Sequence, residues 1–187
     1  MDYRFINHDE LVDIIRTKTA GQDYQVVDVR DDDYRGGNIK GALRAPSEQR
    51  TDQSVQDLVS RLEDVPRVIF HCTLSQVRGP KAARIYAEAR REKERDEAAR
   101  GAPQAVGGTV SDEGKSADAG KESAVATNVD PFETAKATAA AAAASSSLLR
   151  QEVLILRDGF QGWQGLYRKD PDLVENFDVN VWQEYSP

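Results

Sequence analysis

One cysteine and one arginine dominate the chemistry this chain can do. They sit six positions apart in His71-Cys72-Thr73-Leu74-Ser75-Gln76-Val77-Arg78-Gly79-Pro80. The apolar run Val68-Ile69-Phe70 precedes this stretch and Ala82-Ala83-Arg84-Ile85-Tyr86 follows it. The first reads as a short buried strand, the second as a helix with Pro80 in its first turn. A strand-to-helix turn with five residues between Cys72 and Arg78 is long enough to wrap a tetrahedral oxyanion. Backbone N–H groups from Thr73, Leu74, Ser75, Gln76 and Val77 at a helix N-terminus would converge on such an anion. Arg78 offers a planar fork to two of its oxygens, and the same positive field favours the thiolate of Cys72, the nucleophilic form. A cation at a helix N-terminus is unfavourable unless an anion lies beside it, which favours a functional Arg78 over a solvated one.

Other candidates are supporting ones. Ser75 either stabilises a leaving thiolate or satisfies loop backbone. His71 precedes Cys72 on the strand and should point away from it, so it reads as a side chain that holds the loop. Asp28 lies on an apolar strand and is either a proton donor or an anchor for a neighbouring loop through Arg30 or a backbone amide, because a buried carboxylate needs partners. Arg44 either recruits an anionic substrate or is simply solvated. His8 reads as a helix-start residue, and Phe160 and Trp163 as core. Two histidines and one cysteine, scattered along the chain, do not make the ligand spacing of a metal site.

The elements that must position these residues alternate. Tyr3 to Ile6 reads as an edge strand, followed by a helix with an Asn7/Glu10 capping box and Leu11, Ile14 and Ile15 on one face, ending near Gly21. Gln25 to Val29 reads as a central parallel strand, and Arg30 to Gly37 as a polar surface loop. Ile39 to Ala45 returns to the sheet. Thr51 to Glu63 is amphipathic, with Val55, Leu58, Val59 and Leu62 at helical spacing. After the helix from Pro80, alternating charges from Arg90 to Arg100 suggest an end that runs into solvent. Glu152 to Leu156 is a further buried strand, followed by a Gly-rich turn (Arg157 to Trp163), a short helix through Tyr167, and a tail from Pro171 that packs back on the body. The alternation predicts an α/β fold with a mostly parallel sheet and helices on both faces. Ligands in such folds sit beyond the carboxyl ends of strands, where Cys72 falls. Residues 101–147 are rich in Ala, Gly, Ser and Thr, with almost nothing to bury, and read as a disordered insertion within one domain spanning 1–187.

The totals narrow the function. A chain of 187 residues carries one domain with a real core, and a formal net charge of −7 argues against a nucleic-acid partner. The single cysteine excludes an internal disulfide framework and fits a reducing compartment. The start lacks the apolar core of a signal peptide and no apolar run approaches membrane-spanning length, so a cytosolic or nuclear protein without a membrane partner is expected.

Four ordered segments carry a resemblance. Val27-Asp28-Val29-Arg30, Gly37-Asn38-Ile39-Lys40-Gly41-Ala42, His71-Cys72 and Asp158-Gly159-Phe160-Gln161-Gly162-Trp163 resemble the successive signatures of a rhodanese domain. The loop from Cys72 to Arg78 is the longer, phosphate-sized type, similar to that of cell-division-cycle dual-specificity phosphatases and the related eukaryotic arsenate reductases. The small size resembles the stand-alone fungal and plant members. The resemblance implies a rhodanese-like fold, Cys72 as nucleophile, Arg78 as oxyanion clamp and the amides of Thr73 to Arg78 as cradle. Thr73 and Val77 stand where the animal mitotic enzymes have acidic residues, and Asn38 replaces a common histidine. The first expectation is a cysteine-dependent phosphatase acting on a phosphorylated protein or small oxyanion through a phosphocysteine, without a cofactor. The second is an arsenate reductase; with one cysteine, glutathione or glutaredoxin would have to resolve its intermediate. A sulfurtransferase, disfavoured by loop length, and a non-catalytic oxyanion-binding scaffold are the remaining readings.

Overall fold

The structure, a computed structural model, describes residues 3–101 and 151–183; the insertion expected over 101–147 lies, but for Gly101, outside them. Five strands form one parallel sheet in the order β1-β6-β5-β2-β4. These are β1 (Arg4–Ile6), β2 (Gln25–Asp28), β4 (Leu43–Arg44), β5 (Arg67–His71) and β6 (Glu152–Leu156). A separate antiparallel pair joins β3 (Asn38–Ile39) to β7 (Val174–Glu175). The helices are α1 (His8–Thr17), α2 (Asp52–Arg61), α3 (Arg78–Gly101), α4 (Gly159–Tyr167) and α5 (Val179–Trp182).

The central strands are apolar on both sides, and their alternation sorts the core into two layers. Val27, Val29, Val68, Phe70, Val153 and Ile155 pack against α2 and α3, meeting Val55, Val59, Ala83 and Tyr86. Val26, Ile69, Leu154 and Leu156 face the other way, onto Leu11 of α1 and Phe160 and Trp163 of α4. Helices therefore cover both faces, as the alternating pattern predicts.

Element ends follow local chemistry. Glu10 accepts from the Asn7 N–H at 2.8 Å, and Thr51 accepts from Ser54 N–H at 3.1 Å, closing the starts of α1 and α2. Helix α1 stops at Thr17 rather than near Gly21, because Asp23 accepts from the Thr19 N–H and draws residues 19–23 into a turn. Helix α3 does continue through the charged stretch, yet Arg90 is buried and paired with Glu94 at 2.8 Å, and Lys93 reaches Glu63 of the α2 end at 2.8 Å. The stretch is thus docked along part of its length. The tail packs back: Leu173 and Trp182 are buried, and β7 pairs with β3.

Candidate active site

Strand β5 ends at His71, and Cys72 follows as the first residue of the turn into α3. The residue is only 3% exposed. The loop folds over it: Ser75 takes a left-handed backbone (φ 52°), and its N–H donates to Cys72 Sγ at 3.2 Å. A non-glycine residue in this region marks strain held by its surroundings, here with an amide directed at the sulfur. Ser75 Oγ is buried without a hydrogen-bond partner among the described residues, so the hydroxyl is uncommitted to loop backbone. Leu74 and Val77 are 44% and 72% exposed and flank the loop on its solvent side, with Gln76 also exposed.

The loop is held from behind by α4. Phe160 N–H donates to the Cys72 carbonyl and Gln161 N–H to the Thr73 carbonyl, both at 2.9 Å. These are unsatisfied donors of a helix's first turn, and they tie the site loop after β5 to the helix that follows the neighbouring parallel strand β6, at the same end of the sheet. Gly159, with φ 53°, permits the approach; a Cβ there would collide with both carbonyl oxygens. The stretch expected as a Gly-rich turn is therefore mostly helix, starting at Gly159, and its role is to brace Cys72.

Beneath the loop lies a buried ionic group. Asp28, Arg30 and His71 are all fully buried. Asp28 accepts from Arg30 Nε at 2.9 Å, from Arg30 Nη2 at 2.6 Å and from the Arg30 backbone N–H at 3.0 Å. Arg30 also donates to the Gly37 carbonyl at 2.7 Å and lies over the Phe160 ring at 4.1 Å. The segment from Arg30 to Gly37 is thus not a simple surface loop, since its first residue and both glycines are buried. The reason is pairing: only a bidentate partner makes an interior guanidinium tolerable. Burial alone would raise the Asp28 carboxyl, but His71 and the Arg30 contacts together hold it below its usual value. Burial lowers His71, more than Asp28 raises it, so its imidazole is neutral near pH 7. His71 Nε2 lies 3.6 Å from Asp28, and Nδ1 is 3.2 Å from the Cys72 carbonyl. Both residues act as supports; neither is directed at the sulfur by any of these contacts.

Arg78 opens α3, at the mouth of the loop. Its fork is occupied by two carboxylates that sequence reasoning missed. Nη1 donates to Asp31 at 3.1 Å and to Asp33 at 2.7 Å, and Nη2 donates to the other Asp33 oxygen in a short contact. Asp33 also accepts from Thr73 Oγ1, and Asp31 from Ser47 Oγ and the Glu48 N–H at 2.9 Å. The Arg78 hydrogen bonds hold the Asp33 carboxyl far below the usual carboxylate range, outweighing its burial. Asp31 is lowered too, its bonds to Ser47, Glu48 and Arg78 exceeding the effect of burial. Two carboxylate oxygens on two guanidinium nitrogens reproduce the contacts that an oxyanion would make, so an anion binding at Arg78 would have to displace Asp33. The run Asp31-Asp32-Asp33 just beyond the carboxyl end of β2 was the available signal, since that end of the sheet is where Cys72 sits.

Arg44 ends β4 and is exposed; it stacks on Tyr34 at 4.4 Å and donates to the Asp31 carbonyl at 3.4 Å. His8 starts α1 beside Trp163, their rings 6.2 Å apart.

No family model matches the chain. Dual specificity phosphatase ibp1 of Schizosaccharomyces pombe is 48% identical over 66 residues, 34% of this chain and 45% of that protein. Arsenical-resistance protein 2 of Saccharomyces cerevisiae is 36% identical over 86 residues, 42% of this chain and 65% of its own length. The chain spans about half the length of the first curated relatives it matches, 45%, 53% and 49%. Among solved structures, a yeast protein tyrosine phosphatase of the rhodanese family superposes with a TM-score of 0.61 at 22% identity, covering 98% of this chain and 99% of that one. An As-Sb reductase from Leishmania major gives 0.57 at 21%, covering 92% and 84%. The strand order, the loop after β5 and the likeness to these solved structures agree: the chain has the rhodanese-like fold, and part of its sequence is similar to dual-specificity phosphatases and to an arsenical-resistance protein.

Proposed function

We propose that the chain is a cysteine-dependent phosphatase that forms a phosphocysteine on Cys72. The observation that carries this reading is the loop itself: Cys72 lies under the Ser75 amide, and Arg78 presents its fork at the mouth to anionic oxygens, here those of Asp33 and Asp31. The thiolate of Cys72 attacks phosphorus and the ester P–O bond breaks, with the leaving oxygen taking a proton from the monoanionic substrate or from water. Arg78, released from Asp33, stabilises the equatorial oxygens. Water then attacks phosphorus, the S–P bond breaks, and the Ser75 hydroxyl is available to hydrogen-bond the departing thiolate. Asp28 and His71 keep the floor of the site rigid and take no part in proton transfer. The site residues are thus Cys72 and Arg78, with Thr73 to Val77 as the anion cradle. The test is hydrolysis of a small aryl phosphate by wild type and Cys72→Ser. Turnover that is inhibited by arsenate and lost in the variant supports the reading; equal turnover by both chains overturns it.

A second reading rests on the similarity to Arsenical-resistance protein 2. Arsenate has the shape and charge of phosphate, so the same loop would take it. The thiolate would form a Cys72–arsenate adduct with loss of water, and an external dithiol or two glutathiones would deliver two electrons, reducing As(V) to As(III) and leaving as disulfide. One cysteine requires that external reductant, with glutaredoxin as the matching partner. Arsenite production from arsenate, glutathione and glutaredoxin by a wild type inactive on aryl phosphates would favour this reading.

A further inference from the structure

Beside the loop, between the end of β4 and helices α2 and α3, lies a pocket of about 310 Å³ to which the reaction above assigns nothing. Its floor is apolar: Val29, Val55, Leu58, Phe70, Ala82 and Tyr86. Its rim is cationic. Arg44, Arg50 and Arg61 line it against a single acid, Asp57. Arg50 Nη2 is covered from solvent and has no hydrogen-bond partner among the described residues. A guanidinium nitrogen in that condition is unusual and calls for an acceptor. Asp31 links the pocket to the oxyanion loop, since it bonds Arg78 and its carbonyl accepts from Arg44, while its charge acts on Arg50.

We propose that this pocket binds a carboxylate-bearing stretch of the substrate next to its phosphorylated residue, the carboxylate meeting Arg50 and Arg61 and the adjoining apolar group resting on Phe70 and Tyr86. This rests on the phosphatase reading and names its substrate class: phosphopeptides whose flank combines an acidic and an apolar residue. The complementarity is directional. Three guanidinium groups against the Asp57 carboxylate, with the nearby Asp31 carboxylate already bonded to Arg78, leave the rim a net attraction for anions that the chain's overall negative charge does not provide. The apolar floor discriminates against free inorganic anions, which leave it unfilled.

The experiment measures binding of two phosphotyrosine peptides, one with Glu-Leu flanking the phosphoresidue and one with Gln-Leu, to the Cys72→Ser chain by calorimetry. The same titrations are repeated with Arg50→Gln and Arg61→Gln added. The proposal expects roughly five- to tenfold tighter binding of the Glu peptide, an advantage that disappears in the double-arginine background. Equal affinities for the two peptides overturn it. So does an advantage that survives loss of both arginines, or a Glu advantage matched by free phosphate at the same pocket. Arg61→Glu with a Lys-Leu peptide supplies a variant whose expected gain in binding cannot come from misfolding. Hydrolysis of both peptides by wild type is followed in parallel. A Glu preference without turnover keeps the pocket and removes the phosphatase; turnover without a preference does the reverse.

Discussion

Replacing Asp33 by Asn would strengthen oxyanion binding, a result opposite to the usual effect of altering an active-site residue. In the free protein Asp33 and Asp31 fill the Arg78 fork, so any anion binds in competition with them. The side chains of Arg78 and Asp33 are 32% and 37% exposed, which screens the pair well below the strength of a buried one. A two-point charge-assisted contact at such a site is worth about 1 kcal/mol, and Asn retains part of the hydrogen bonding to Thr73. Asp31 continues to hold Nη1. Loss of about 1 kcal/mol of competition corresponds to roughly a fivefold fall in the dissociation constant for phosphate. Titration calorimetry with inorganic phosphate on wild type and Asp33→Asn reads this directly, and the gap should narrow as salt is raised. Asp33 is ionised throughout the neutral range because Arg78 holds its carboxyl so low, so the effect should be the same at pH 6 and pH 8 apart from the titration of phosphate itself. Unchanged or weaker binding in the variant would refute the view that Asp33 competes with the substrate anion.

Other expectations concern the supports. Asp28→Asn leaves a buried guanidinium without its counter-charge and should cost about 3–5 kcal/mol, lowering the melting temperature by about 10 °C by differential scanning calorimetry. Gly159→Ala adds a Cβ at positive φ against the carbonyls of Cys72 and Thr73; a loss of about 2 kcal/mol in stability is expected together with a fall in activity larger than that of Gly165→Ala, whose surroundings are open. Stability should decline as pH falls below about 6.5, because the unfolded chain binds a proton at His71 that the folded chain, with its lowered pKa, does not. The limiting slope from that one group is about 1.4 kcal/mol per pH unit, and Asp28, also lowered, adds a further loss below its unfolded value. Denaturant midpoints between pH 5 and 8 check the sign: a chain that gained stability on acidification would contradict a buried neutral His71.

The parts of this site visible in the sequence were those fixed by short-range patterns. Val68 to Phe70 and Val153 to Leu156 are continuous apolar runs, and both lie buried in strands. Cys72 and Arg78 lie in one turn, so spacing alone placed them at the same strand end. Asp28 reads as a carboxylate needing a partner, and Arg30 stands among the options, because a single residue, Val29, separates them. Asp31 and Asp33 do not stand out in the sequence, since their partner Arg78 is 47 and 45 positions away and nothing local distinguishes them from Asp32. The brace from Phe160 and Gln161 to the loop likewise joins segments far apart in the chain. The sequence from Arg157 to Trp163 reads as a turn because Gly159 and Gly162 carry weak helix propensity, whereas tertiary contact with the Cys72 and Thr73 carbonyls decides the local conformation.

The most direct test of the account is rapid-quench mass spectrometry of the wild-type chain mixed with an aryl phosphate. The account predicts a phosphoryl group on the peptide containing Cys72, appearing before steady-state product and absent in Cys72→Ser. Turnover with no covalent phosphate on Cys72, or with the label on another residue, would contradict it.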